Sequence, residues 1–547
     1  MALSGMEQFE RGHPVLGTRL LWAAGEAVSR TGHTRLLCRR RFVLPVGIRS
    51  RIWASASQRY TLYLDGEQLG RGPSRSDPDR WGVRPYEVDL QSGEHVLAAL
   101  VTHRGRSAGK GQLGGPGFWL LAAEDPDLEA VIGMNSGWVC HAHAGWEALR
   151  ERSGHIRGHF AVGDGEVFYG AGYPWGWEGL CFDDAGWEPM EPVSDILENP
   201  WGNRIGGHHF RPDPLPEMRE TRLELPANRM SLPLNLGAHA DHEIVLDMGH
   251  PVNAYIRVEV DGGAGSEVEW ISCEAPVDPQ SGEKGNRDQW QGKAFPGLVD
   301  RFFPGGLNGE SFETAWFRAF RYLKIRIRTA EAPLCLRRLE LRQSGFPLER
   351  RAIYRAEGSG RDWNRLLEAT HRTATLCAHE TTFDCPHYEQ GQFAGDSRIQ
   401  AIYHYLVGND DRLVRKCIDD LAASRIWLGI LRSHYPASFH QIIPTFSLYW
   451  IGMLDDFRIW RGDGAFLRPY LPLAREIMQW FEAHIREDGL PGQIPYAPFI
   501  DWAFEAGNAP QEENGGSTIL ALLLARASHW MSRLERFCGY PELAPRW

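Results

Sequence analysis

Cysteine is scarce, with nine in 547 residues, an odd number and no CxxC pair. That excludes a disulfide framework or a zinc knuckle and predicts reduced thiols. Long apolar runs are missing as well. The longest, Ile519 to Ala525, is far too short to span a bilayer. Glu7, Glu10, Arg11, Arg19 and Glu26 interrupt the region where a secretory signal needs an unbroken apolar core, so a cytoplasmic protein is expected. No dense Lys/Arg block is present, and 59 basic against 70 acidic residues leave a net charge of -11. Nucleic acid and anionic membranes are therefore not expected partners.

The usual cofactor and nucleophile signatures are thin. No GxSxG elbow, P-loop or EF-hand spacing occurs, and His379-Glu380 lacks the second histidine of a zinc-protease helix. Gly109-Lys110-Gly111-Gln112-Leu113-Gly114 matches GxGxxG, but Gly115-Pro116-Gly117 and the strand-like Phe118-Trp119-Leu120-Leu121 follow it, so a glycine-rich loop between strands is expected. His141 with His143, and His155 with His159, have spacings a metal accepts but no adjacent acid or cysteine in a matching pattern. Neither a metal nor another cofactor is indicated.

Aromatic residues are abundant by contrast, at 21 Trp, 24 Phe and 16 Tyr. Most belong to packed cores, although indole faces beside polar edges are also what sugar sites use. The length predicts three to four domains, and 43% hydrophobic residues suffice for sizeable cores.

From about residue 36 to 345 the apolar pattern has period two. Arg59 to Leu64 alternates into Asp65-Gly66, a hairpin signal, and Gly93 to Val101 reads as a buried strand. Further strands are expected over His242–Met248, Ala254–Val260, Glu267–Ile271, Phe317–Ile327 and Leu336–Leu341. Strand follows strand without helical spacers, which favours antiparallel sandwiches. The proline-punctuated stretch Glu188 to Pro216 reads as a linker, placing one β-sandwich region at 1–205 and a second at 206–350.

Beyond 350 the period becomes helical. Trp363, Leu366, Leu367, Thr370, Ala374 and Cys377 share one helix face, and helices follow at about 394–407, 411–428, 444–461, 466–487 and 515–538. The fold class is thus multidomain β plus α, sandwiches first and helices after.

Between the first two helices, Thr381 to Asp396 sets Asp384, Glu389 and Asp396 among Phe383, Tyr388 and Phe393. Acids in such a loop commonly cap the next helix and face solvent. If they converge, repulsion and partial burial raise the pKa of at least one, giving an acid able to donate a proton near neutral pH, as glycoside hydrolysis requires. His434 and His440, with Tyr435 and Phe439, either line a sugar pocket or cap helix ends.

The string D-C-P-x-Y-E-Q-x-x-x-x-G-D, read from Asp384 to Asp396, resembles the signature loop of the α-L-rhamnosidases of glycoside hydrolase family 78. Phe182-Asp183-Asp184-Ala185-Gly186-Trp187 and Trp316 to Leu323 resemble smaller motifs of that family, and the order of sheets before helices agrees. The resemblance implies β-sandwiches followed by an (α/α)6 barrel, and hydrolysis of terminal α-L-rhamnosyl bonds with inversion. Glu389 matches the general acid, and Asp384 and Asp396 match carboxylates that hold sugar hydroxyls. Asp501-Trp502 resembles a barrel-lining pair assigned to substrate binding, with a structural role for Trp502 equally open. The implied partner is a small-molecule or oligosaccharide rhamnoside.

One departure accompanies the resemblance. The barrel has twelve helices and six are visible, so 351–547 is expected to be its first half, with the general base beyond Trp547. The apolar face of Tyr470 to Ile485 is then expected to be uncovered. Either the sequence is truncated, the favoured expectation, or an oligomer completes the barrel. Two alternatives stand beside this one: a hydrolase for another deoxysugar or a uronic acid, and a non-catalytic carbohydrate-binding remnant.

Overall fold

In the computed structural model, the described residues are 6–24, 31–112, 117–153, 160–193, 197–198, 204–205, 209–226, 230–354, 362–511 and 515–547. The chain divides into a β-rich unit, residues 8–347 together with 386–389, and a helical unit formed mainly by 348–385 and 390–547.

In the β-rich unit, Arg59–Leu64 turns through Asp65 (φ 52) and Gly66 (φ 91) into Glu67–Gly72. Two successive positive φ values are what a tight hairpin turn requires, and Asp-Gly supplies them at little cost. The hairpin lies at one edge of an 11-stranded sheet that also contains Thr34–Leu44 and Gly93–His103. Its core includes Trp22, Leu36, Leu62, Trp119 and Trp138.

A second 11-stranded sheet is organised around Asp241–Gly262, a strand of 22 residues. The sequence predicts two strands here, broken near Gly249-His250-Pro251. The structure runs them together, with a register shift between Asp247 and Val252 against the strand Arg318–Arg328. A bulge lets the chain bend without ending the strand.

Pairing is mostly antiparallel, as the short connections predict, with two parallel exceptions among the described residues. Gly165–Tyr169 runs beside Gly297–Phe303 in the second sheet, and Phe210–Pro212 beside Trp81–Leu90 in the first. Strand pairing therefore threads across the expected division near residue 205 in both directions. The start of the expected linker is also a strand, Glu188–Val193, paired with Leu20–Ala23.

The crossing strand is anchored by charge. Buried Glu166 accepts from Arg318 at 2.8 Å and from the Trp146 indole at 2.9 Å, while Arg318 also donates to Asp300 at 2.6 and 2.9 Å. Burial alone would raise the Glu166 pKa, but Arg318, Arg104 and Arg35 overcome it and hold the carboxyl at about 2. The Phe182–Trp187 motif is likewise tied down through an arginine. Asp184 pairs with the buried Arg39 at 2.8 Å, and Arg39 also donates to the carbonyls of Gly179 and Phe182.

In the helical unit, long helices occupy Trp363–Leu376, Ala394–Val407, Arg412–Ala423, Pro444–Arg461, Leu471–Glu482 and Thr518–Phe537. Two expectations about their faces are corrected. Leu471, Ala474, Ile477, Met478 and Phe481 are buried, because Thr518–Phe537 packs over that face, and Arg475 donates both its Nε and Nη2 to Glu535 at 2.7 Å. Of the large apolar side chains of this segment, Ile485, beyond the helix end, stays 41% exposed. The first helix behaves oppositely: Leu366 is 54% exposed, and burial is confined to Ala374 and Leu376.

Candidate active site

The loop after the first helix is pinned from both ends. Phe383 N–H donates to the Cys377 carbonyl at 2.8 Å. Asp384 N–H donates to the Gly391 carbonyl at 2.9 Å, and Gly391 N–H returns a bond to Asp384 Oδ1 at 2.9 Å. Between them the backbone reverses through Gln390, whose φ of 57 lies in the left-handed region that few non-glycine residues enter. Such conformations persist only where the surroundings fix them.

Buried Gln392 does much of that fixing. Its Oε1 accepts from Thr382 N–H and hydroxyl at 3.1 and 3.2 Å, and its Nε2 donates to the Tyr435 carbonyl at 2.8 Å and to Asp420 Oδ2 at 3.1 Å. The same Asp420 oxygen receives Lys416 Nζ at 2.6 Å, both side chains being fully buried. Sequence reading missed this trio; the signal was present as a Lys and an Asp four apart among Leu413, Cys417 and Leu421, the buried residues of one helix. His434, left open between two roles, is buried and stacks on Phe393 at 4.4 Å.

Acids of the helical unit act electrostatically on shared neighbours. Asp384 and Asp396 both oppose ionisation of the Cys377 thiol, which burial chiefly pushes up to about 12. Asp396, in the first turn of Ala394–Val407, has its own pKa raised, first by burial and then by the charge of Asp501. Asp501 is exposed and accepts from Ala503 N–H at 2.8 Å. Beside it Trp502 is 81% exposed, its ring 5.1 Å from Phe499. Asp396 is therefore within electrostatic reach of Asp501, and Asp384 and Asp396 of one thiol, with Asp396 favouring its neutral form more than an ordinary aspartate does.

Glu389 belongs to the β-rich unit, where the short segment 386–389 is firmly held. His387 Nδ1 is 2.6 Å from the Ala319 carbonyl, which fixes that nitrogen as the protonated one, and burial keeps the imidazole neutral. Tyr388 hydroxyl donates to Glu274 at 3.1 Å and accepts from Lys284 at 3.1 Å, and its carbonyl accepts from Ala161 N–H at 2.6 Å. Glu389 is half-buried.

Among the described residues no group of three or more His, Cys, Asp and Glu comes together as a metal set. His143 Nε2 lies 3.0 Å from the Tyr169 carbonyl. His155, His159 and the end of the GxGxxG stretch lie outside the described residues; its beginning, Gly109 to Gln112, leads towards the strand Trp119–Ala123. No helix among the described residues is long and apolar enough to cross a membrane.

The family model of the bacterial alpha-L-rhamnosidase 6 hairpin glycosidase domain matches residues 355–547. Residues 355–547, about a third of the chain, are thus similar to that glycosidase domain. The whole fold is similar to solved rhamnosidases at low identity. Against a glycoside hydrolase family 78 rhamnosidase of a Bacillus species the TM-score is 0.79 at 18% identity, covering 97% of this chain and 75% of that one. Against the α-L-rhamnosidase of Aspergillus terreus it is 0.68 at 17%, covering 97% and 60%. Against that of Streptomyces avermitilis, solved with L-rhamnose, it is 0.67 at 18%, covering 94% and 48%. The chain thus spans between about half and three-quarters of these relatives' lengths. No curated protein matches it.

Proposed function

We propose that the chain is the working part of an inverting α-L-rhamnosidase, with Glu389 as general acid. The observation that carries this reading is the electrostatic linkage of Asp384, Asp396 and Asp501 in the matched domain, the first two within the string that also contains Glu389. Three carboxyls, of which Asp396 is drawn towards its neutral form by burial, suit a ring of hydroxyls that must be both donated to and accepted from. In this reading Asp384 and Asp396 hold the sugar, Asp501 and Trp502 flank it, and the six long helices are hairpins of an (α/α)6 barrel. Inversion requires a second carboxylate, about 6.5–9.5 Å from the acid, to activate water on the opposite face.

The test is turnover of phenyl and p-nitrophenyl α-L-rhamnopyranosides by the parent and by Glu389→Gln. Loss of the acid should slow the phenyl substrate about 10²–10⁴-fold and the nitrophenyl substrate less, because nitrophenolate leaves without a proton. Equal rates in parent and variant on both substrates would remove Glu389 from the role, and no turnover by the parent would remove the activity.

A further inference from the structure

Between the strands Glu267–Cys273 and Gly297–Phe303 the chain makes a loop over residues 274–296 with no helix or strand of its own. Loops longer than about 12–15 residues without secondary structure are uncommon in compact domains, and the ordered ones are usually functional. This loop is ordered from within. Asp278 accepts from the N–H groups of Gln280 and Ser281 at 3.0 and 2.7 Å, Val277 pairs with Ala294, and Lys293 Nζ donates to the Lys284 and Asn286 carbonyls, each at 2.7 Å. The Tyr322 hydroxyl fastens the loop to the sheet by donating to the Arg287 carbonyl at 2.6 Å.

That order gives Lys284 a fixed place. Its Nζ donates to Glu274 Oε2 at 2.9 Å and to Tyr388 Oη at 3.1 Å, and Tyr388 Oη donates to the same Glu274 oxygen at 3.1 Å. Burial alone would raise the Glu274 pKa, but Lys284, His387 and Tyr388 overcome it and hold the carboxyl below its usual range, so the closed ring of three is ionic at neutral pH. Tyr388 is thereby held at both ends, by its hydroxyl here and by its carbonyl on the Ala161 N–H, which sets the plane of the peptide leading into Glu389. On the other side of Glu389 stands Gln390 in the left-handed region. Lys284, Glu274, Tyr388 and Glu389 all belong to the β-rich unit, so the clamp is complete within it.

We propose that Lys284, acting through Glu274 and Tyr388, is a positioning residue for the Glu389 carboxyl, a role that rests on the reading of Glu389 as general acid. Lys284 donates no proton to the reaction. Its part is to keep the acid within the fraction of an ångström that proton transfer demands, which a carboxyl on an unsupported loop would not hold.

The experiment compares turnover of phenyl and p-nitrophenyl α-L-rhamnopyranosides by the full 547-residue chain as parent, Lys284→Met, Lys284→Arg and Glu389→Gln. Melting points serve as the folding control, and hydrogen exchange of residues 386–391 is a readout apart from turnover. Lys284→Met should quicken exchange of that segment and lower kcat on the phenyl substrate about 10–100-fold, with a smaller loss on the nitrophenyl substrate and KM unchanged for both. Lys284→Arg, which still donates to Glu274 and Tyr388, should restore most of the phenyl rate. A clamp that serves stability alone would lower both substrates alike, and that result overturns the proposal, as does exchange at the parent's rate. A ratio of the two rates kept in Lys284→Met but collapsed in Glu389→Gln removes the positioning role and leaves the acid. A ratio kept in Glu389→Gln itself, or no turnover by the parent, removes the acid reading and the positioning role with it.

Discussion

Lys416 Nζ lies 2.6 Å from Asp420 Oδ2, one helical turn away, and neither side chain reaches solvent. An isolated buried charge is far costlier than a buried pair, so removing one partner should hurt more than removing both. Lys416→Met is expected to destabilise the helical unit by about 3–5 kcal/mol. Lys416→Met with Asp420→Leu should recover a large part of that, as read by thermal unfolding of each variant. Equal loss in single and double variants would deny the pair its coupling.

Gln392 takes four hydrogen bonds that hold the carboxylate loop to its surroundings. Gln392→Ala leaves buried donors and acceptors unmet, each costing about 1–3 kcal/mol. Its melting point should fall, and aryl rhamnoside kcat should fall tenfold or more, even with enzyme held well below the new midpoint. A normal kcat would mean the loop keeps its shape without the amide.

Asp396 has a raised pKa from burial and from Asp501. A carboxyl whose folded pKa exceeds its unfolded one favours the folded state when protonated, and that contribution is lost as pH rises through the folded value. Asp396→Asn should therefore melt higher than the parent at pH 7, with the difference vanishing below the ordinary aspartate pKa. The same change should depress turnover, because in the proposed reading the carboxylate holds substrate. A parent and variant that melt alike at every pH would refute the raised pKa.

Glu166 carries the opposite sign. Its pKa, held at about 2 by Arg318, Arg104 and Arg35 against burial, gives stability present above the ordinary glutamate value and lost as pH falls towards 2. The melting point of the β-rich unit should drop steeply over that window, and the drop should be smaller in Glu166→Gln, which is already destabilised at pH 7.

Trp502 is 81% exposed, so Trp502→Ala should change stability by no more than about 0.5 kcal/mol. If the ring borders bound sugar, KM for an aryl rhamnoside rises while kcat holds.

Local chemistry was legible in the sequence where one short segment decides the outcome. Asp65-Gly66 makes a tight turn wherever two alternating runs flank it, and the helix periods after residue 350 fell on real helices. What escaped depends on distant neighbours. Gly249-His250-Pro251 reads as a break, yet pairing with Arg318–Arg328 carries the strand through it. The face of Leu471–Glu482 is covered by a helix whose docking no single-segment pattern encodes, and Leu366 lies on a face that periodicity alone would bury. Of the site, the acids were legible by type and spacing. The Gln392, Lys416 and Asp420 support was not, because charged residues on a buried helix face look like exceptions until their partners are in view.

The strand Asp241–Gly262 pairs with Asn308–Glu313, Arg318–Arg328 and Leu334–Gly345, so three other segments take their alignment from it. Side chains alternate faces along it, and a slip of one residue exchanges core for surface in every partner at once. Over evolutionary time the turns around it are free to lengthen or shorten, while the count of residues from Val252 to Gly262 behaves as a reading frame. Insertions and deletions among descendants of this chain should accumulate everywhere in the second sheet except there.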